Sequence, residues 1–269
     1  MKYKVLAFDI DGTLTNSKKE ITPATKAAIM KAAEQGCVIA LATGRPVPGV
    51  ADYVKELNFA EIGGYVISLN GGYVLSCKEN KVIRKEVIPM EYYDRIYDLS
   101  KEHGVTLLTY EGDDVITEDP DNEFVQIEAR INKIKARKVD DLKSHLTFEV
   151  PKFLMVADGD YLATVEEKVK PQFAGELDIY RSEPFFLEIL PMGINKADAL
   201  ELLLKEVGAS REELMTFGDG YNDITMIEYA GMGVAMSNGN PVIKEKADYV
   251  APSNDEDGIV HVIEKFVLD

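Results

Sequence analysis

Short apolar runs alternate with amphipathic stretches over the first third of the chain. Val5–Phe8 is continuous in hydrophobics, as a strand covered on both faces of a parallel sheet must be. Thr22-Pro23 then offers a capping hydroxyl and a proline for the first turn of a helix that Gly36 stops. Residues 37–41 read as the next strand, 49–57 as a helix and 65–69 as a third strand. The rhythm returns in the last third. Lys196–Val207 reads as a helix ending at Gly208, Ser210 to Glu213 as a capping box, 215–217 and 232–235 as strands. Helices are expected over 223–230 and 241–247, and Tyr249–Ala251 as a last short strand. Strand and helix in alternation predict an α/β fold, a Rossmann-like doubly wound parallel sheet with right-handed crossovers.

Residues 84–190 have another texture. A helix is expected over 92–103, a hairpin over 105–110 and Asp114–Thr117 about Gly112-Asp113, and a strand over 152–156. A helix over 160–169 and a second hairpin, 177–182 with 185–190 turning at Glu183-Pro184, complete it. Antiparallel strands mixed with helices predict an α+β domain at 84–190, inserted into a core made of 1–83 and 191–269. The two crossings, near 82–86 and 191–195, are the expected hinge. The basic residues over 133–143 read as a solvated face.

Composition narrows the partners. Of 269 residues 46% are hydrophobic, which suffices for a sizeable core, and 30 basic against 47 acidic side chains leave a net charge of −17. So acidic a surface argues against nucleic acid and anionic membranes, and an anionic substrate then needs a local feature that reverses the field. Cys37 and Cys77 stand far apart with no histidine nearby, which excludes a zinc centre or disulfide framework and fits a reducing compartment. The apolar run before Asp9 is too short for a signal peptide and no stretch has the length of a membrane span, so a cytoplasmic protein is expected.

The chemistry gathers where strands end. Asp9-Ile10-Asp11-Gly12-Thr13 follows the first strand, and residues i and i+2 leaving a strand face one side, so Asp9 and Asp11 meet at its carboxyl end. Crowded carboxylates favour a shared proton or a bound cation. Gly12 allows a sharp turn and Thr13 satisfies backbone groups within it. Thr43-Gly44-Arg45 after the second strand supplies a hydroxyl, an open N–H and a guanidinium, the donors an anion needs. Ser68-Leu69-Asn70-Gly71-Gly72 follows the third strand, Lys196 opens a helix, and Gly218-Asp219-Gly220-Tyr221-Asn222-Asp223 adds two carboxylates and an amide. Arg45 has three readings: phosphate contact, a clamp on the inserted domain, or a pair with a surface acid. Asn70 reads as a substrate contact or a loop anchor. Glu188 falls in the last inserted strand or at the hinge, as a substrate contact or an ion pair to the core. The pair Phe185-Phe186 reads as packing.

This set resembles the haloacid dehalogenase superfamily of phosphohydrolases. Asp9-x-Asp11-Gly12-Thr13 is similar to its first motif, Thr43 to the second, Lys196 to the third, and Gly218-Asp219-x-x-Asn222-Asp223 to the fourth. Only 34 positions separate Asp9 from Thr43, whereas 153 separate Thr43 from Lys196 and hold the α+β insert. That spacing, with Phe186-Leu187-Glu188-Ile189-x-Pro191-x-Gly193-x-x-Lys196, resembles the Cof-type branch with a type II cap, whose characterised members are mostly sugar-phosphate phosphatases. Ala197 departs from the glycine many members carry after the lysine. The resemblance implies hydrolysis of small phosphorylated metabolites, sugar phosphates first, with flavin mononucleotide or pyridoxal phosphate behind them. Asp9 would be the nucleophile and Asp11 the acid and base. Mg²⁺ would be held by Asp9, Asp219 and the Asp11 carbonyl, with Asp223 beside them. The Ile10 N–H, Thr43, Gly44, Lys196 and Asn222 would hold the phosphoryl oxygens, and the 84–190 cap would set specificity. A phosphosugar mutase, or a binding module on the same scaffold, are the other readings.

Overall fold

The computed structural model describes residues 2–268. Its strands in chain order are β1 Val5–Phe8, β2 Val38–Ala42, β3 Tyr65–Ser68, β4 Tyr73–Ser76, β5 Lys81–Lys85, β6 Thr106–Glu111, β7 Asp114–Thr117, β8 Lys135–Lys138, β9 Phe153–Val156, β10 Leu177–Glu183, β11 Phe186–Pro191, β12 Leu214–Gly218, β13 Met232–Met236 and β14 Tyr249–Ala251. Among the described residues they form an eight-stranded sheet, β14-β13-β12-β1-β2-β3-β4-β5, and a six-stranded sheet, β10-β11-β9-β6-β7-β8. Contacts divide the molecule into two units. One is the stretch ending at Arg84 together with that beginning at Asn195; the other is Lys85–Ile194.

In the first unit the strands from β14 to β3 run parallel, with Val5 beside both Leu214 and Val38. Every residue of β1 is buried, because alternate side chains serve opposite faces. Leu6, Phe8, Ile39, Leu41, Met215 and Phe217 pack toward the Pro23–Glu34 and Gly258–Phe266 helices, and the Phe8 and Phe217 rings stack at 4.7 Å. Val5, Ala7, Ala40 and Leu214 pack on the other face against Leu200, Leu203 and Leu204 of the Lys196–Val207 helix. Strand order reverses direction about β1, the place where doubly wound sheets open a crevice at their carboxyl ends.

The sheet departs from the expected all-parallel form at one edge. β4 lies antiparallel to β3 across a loop that holds the turn pair Asn70-Gly71, and β5 adds a further strand; neither was foreseen. The 49–57 helix arrives as a 3₁₀ turn, Val47–Val50, followed by Ala51–Glu56.

The second unit is α+β. One sheet face carries Leu107, Ile116, Phe153, Met155, Leu187 and Ile189 toward the Tyr93–Glu102 and Gly159–Val169 helices. The other carries Leu108, Val115, Leu154, Val156 and Phe186 toward Val125 of the Glu123–Asn132 helix. That helix was not foreseen, and the basic 133–143 stretch is not simply a solvated face. Lys135–Lys138 is edge strand β8, parallel to β7, where cationic side chains discourage pairing with another chain. Pro191 pairs with Leu177 as the last residue of β11 rather than standing in a hinge, so the chain changes unit after Ile194.

Candidate active site

β1 hands the chain to a tight turn. Asp9 N donates to Phe217 O at 2.9 Å, so β12 still grips the residue beyond β1. The turn closes through Leu14 N to Asp9 O at 3.1 Å, and the Ile10 carbonyl accepts from Thr15 N at 3.0 Å and Thr15 Oγ1 at 2.9 Å. Gly12 has a φ of +85°, and a Cβ there would lie 2.4 Å from Asp219 Oδ2. Only glycine serves both the turn and that close approach. Thr13 does not satisfy the backbone as expected. Its hydroxyl donates to Asp219 Oδ1 at 2.8 Å, tying the first loop to the one after β12.

Lys196 is the centre of the cluster. Its side chain is 0% exposed, and Nζ donates to Asp223 Oδ1 at 2.6 Å, Asp9 Oδ1 at 2.7 Å and Ala42 O at 2.7 Å. An ammonium has three hydrogens, and each has an acceptor. Asn195 caps the helix by accepting from Asp198 N, which aims the first residue of that helix into the sheet edge. Asp223 has both oxygens engaged, since Oδ2 accepts from Gly220 N at 2.8 Å and Asp219 N at 3.0 Å. It therefore orients the lysine and the loop after β12 together.

The electrostatics follow from crowding. Burial, then the Asp223 charge, push the Asp9 carboxyl well above its usual range against the pull of Lys196. Burial also drives Asp219 up to about 6, opposed by its bond from Thr13 and reinforced by Asp223. Burial opposes the charge on Lys196, yet Asp223 and Asp9 outweigh it and hold the ammonium above its usual value. Oxygens of Asp9, Asp219 and Asp223 lie within 4.8 Å of one another, an all-oxygen set with too little positive charge for three carboxylates. Such a donor set fits a hard divalent cation, which would relieve the repulsion that adds to burial in raising Asp9 and Asp219.

Asp11 does not join that cluster. Its carboxylate accepts from Arg45 Nε at 2.7 Å and Nη2 at 2.8 Å and from Lys19 Nζ at 2.7 Å. Burial would raise Asp11, but the bonds and charge of Arg45, with Lys19 behind them, bring it below its usual range. Arg45 is thus a partner of a motif acid, beyond the three roles weighed for it, and Nη1 also donates to Gly49 O at 3.3 Å. Lys19 went unnoticed; its only signal is a charge a few residues past the motif.

Thr43 is buried, with Oγ1 accepting from Arg45 N at 3.2 Å, and Asn70 stands beside Gly44 and accepts at Oδ1 from Asn222 Nδ2 at 3.0 Å. Asn238 Nδ2 donates to Gly12 O at 2.8 Å and Asn240 Nδ2 to Asp219 O at 3.2 Å, two further struts that no spacing pointed to. Glu188 lies in β11, in the second unit. Its Oε1 is 3.5 Å from Lys152 Nζ, and Oε2 is buried without a hydrogen-bond partner.

The family model described as haloacid dehalogenase-like hydrolase matches residues 6–263. A haloacid dehalogenase-like hydrolase from Bacteroides thetaiotaomicron superposes with a TM-score of 0.95 at 40% identity, over 98% of this chain and 99% of that one. The 5-amino-6-(5-phospho-D-ribitylamino)uracil phosphatase YcsE of Bacillus subtilis is 30% identical over 98% of this chain and 96% of its own. The subclass IIB sugar phosphatase BT4131 superposes with a TM-score of 0.81 at 29% identity, over 99% of this chain and 100% of that one. With the strand-end cluster built on a Rossmann-like core that carries an α+β insert, these likenesses make the chain a member of the haloacid dehalogenase-like hydrolase family and a phosphatase.

Proposed function

We propose that the protein is a magnesium-dependent phosphomonoesterase for small phosphorylated metabolites, foremost sugar and sugar-alcohol phosphates, working through an aspartyl-phosphate on Asp9. The observation that carries this is the gathering of Asp9, Asp219 and Asp223 with oxygens within 4.8 Å of one another, two of them, Asp9 and Asp223, bonded to one buried ammonium. The relatives add the substrate class. BT4131 is named a sugar phosphatase and YcsE acts on a phosphorylated ribityl chain, so both names describe a phosphate on a polyhydroxyl chain.

Asp9 and Asp219, with the Asp11 carbonyl, would hold Mg²⁺, which when bound neutralises charge on the phosphoryl oxygens. Asp9 attacks phosphorus as its carboxylate, with Lys196 fixing the side chain through Oδ1 and excluding a proton from that oxygen. Arg45 and Lys19 hold Asp11 as the carboxylate in this structure; once released from both and protonated, it would give its proton to the departing ester oxygen as that phosphorus–oxygen bond breaks. The Asp11 carboxylate then takes a proton from water, whose oxygen attacks phosphorus and breaks the bond to Asp9. Thr43, the Gly44 and Ile10 N–H groups and Asn222 bind the phosphoryl oxygens, and Lys196, whose three hydrogens are held by Asp9, Asp223 and Ala42, adds positive charge beside them. The Lys85–Ile194 unit reads the rest of the ester. The test is phosphate release from p-nitrophenyl phosphate and a panel of phosphorylated metabolites, with Mg²⁺ and with a chelator. Metal-dependent release with preference for polyol phosphates supports the reading. Equal rates under chelation, or phosphate transfer without net release, overturn it.

A further inference from the structure

The loop after β3 holds successive residues at positive φ: Leu69 at 52°, Asn70 at 54° and Gly71 at 107°. Leucine gains nothing locally from the left-handed region, and such strain persists only where the surroundings over-determine it. They do so from three directions. Ser68 Oγ donates to Arg45 O at 2.6 Å, Leu69 N to Arg45 O at 3.1 Å and Asn70 N to Thr43 O at 2.9 Å. A Cβ at Gly71 would lie 2.3 Å from the carbonyl oxygen of Asn195, the residue that caps the Lys196 helix. Asn70 Oδ1 takes a hydrogen from Asn222 Nδ2 at 3.0 Å, and a Cβ at Gly44 would lie 3.2 Å from that same oxygen. One short loop therefore touches the Thr43 turn, the start of the Lys196 helix and the Asn222 loop.

We propose that Asn70 is a positioning residue for the phosphoryl-binding donors, acting through Asn222, and that the strained 69–71 loop sets the spacing of Thr43, Lys196 and Asn222. Asn222 is exposed and its amide would otherwise rotate. An amide nitrogen has two hydrogens. Asn70 takes one, which fixes the direction of the other. The inference rests on the phosphatase reading for the identity of the bound group, not for the coupling between the two side chains.

The experiment is a double-mutant cycle on the full chain, read by orthovanadate affinity in calorimetry and by kcat and KM for p-nitrophenyl phosphate. Asn70→Gly keeps the left-handed backbone at ease and removes the side chain. It is expected to weaken vanadate and kcat/KM about tenfold in the native background and less than about twofold beside Asn222→Ala, with the melting midpoint unchanged. Asn70→Asp keeps an acceptor for Nδ2, so Asn222→Ala should keep its full cost in that background; this arm stands if Asn70→Gly fails to fold. Equal costs for Asn70→Gly in both backgrounds overturn the proposal. Hydrolysis with additive effects removes the positioning role alone. Coupled vanadate binding without hydrolysis removes the hydrolytic mechanism and leaves the positioning role intact.

Discussion

Each unit buries a lysine among polar groups, and the two are built differently. Lys196 is 0% exposed and spends all three hydrogens on oxygens at 2.6–2.7 Å. Lys152 is nearly as buried, at 3%, yet its carboxylate partner Glu188 stands off at 3.5 Å with Oε2 unpartnered. Nζ of Lys152 also lies 5.5 Å from the Tyr110 ring centroid, and the Tyr110 hydroxyl donates to Glu128. Removing charges from water costs several kcal/mol each, and only good geometry with every hydrogen satisfied recovers it. The first centre meets that condition and the second does not. A saturated network is rigid and holds its carboxylates where chemistry needs them. A half-satisfied pair contributes less to its fold and adapts more readily to a change of partner.

The sharpest way to break this contrast is Lys196→Met. It leaves Asp9 and Asp223 facing each other in a buried site without their cation. The expected costs are about 3–5 kcal/mol in denaturant unfolding and loss of turnover by at least about a thousandfold. An active, stable variant would show that the network is not what organises the site.

Asp9→Asn is expected to remove at least about a thousandfold in turnover with a far smaller loss of stability, because the amide oxygen still accepts from Lys196. A variant retaining a tenth of the rate rules Asp9 out as nucleophile.

Lys152→Met sharpens the comparison from the other side. It leaves one buried carboxylate without a cation 3.5 Å away, where Lys196→Met leaves two that were bonded at 2.6–2.7 Å, so the expected cost in unfolding is clearly below that of Lys196→Met. The double change with Glu188→Leu is expected to recover most of it, since replacing both charges removes the desolvation cost. Equal losses at the two lysines would erase the distinction.

The smallest effect concerns pH. Asp219 titrates at about 6 in the folded chain against a usual 3.8, so the folded state holds that proton more tightly than the unfolded one. Its contribution is complete below the unfolded value and is lost as pH rises through about 6. Chelated protein should therefore lose on the order of 1–2 kcal/mol across that window, allowing for partial exposure of the group. Added Mg²⁺ should flatten or reverse the slope, because the carboxylate form binds the cation. Thermal melts at several pH values, with and without metal, read this directly.

Much of the core was legible because its signals are local. Continuous apolar strands such as Val5–Phe8, the Thr22-Pro23 start and the Gly208 stop depend on neighbours a few residues away. The placement of motif residues after strands followed from apolar runs that stop at them. The β4 and β5 edge, the Glu123–Asn132 helix and strand β8 were not legible. Lys135–Lys138 carries no strand-like pattern and is a strand because β7 offers it an unpaired edge.

Residue order alone decides that Asp9, Asp11, Thr43, Lys196, Asp219 and Asn222 stand at the carboxyl ends of strands or at a helix start. Period-2 alternation and caps act over short separations, and the motif types name the chemistry. Only the tertiary structure decides which oxygen each donor takes. Thr13 turned from the backbone to Asp219, Asp11 from the carboxylate cluster to Arg45 and Lys19, and Glu188 to Lys152. Hydrogen bonds and ion pairs are set within tenths of an ångström between residues as distant in the chain as Gly12 and Asn238, 226 positions apart. Nothing in the spacing of one chain fixes such distances until the sheet has brought its loops together.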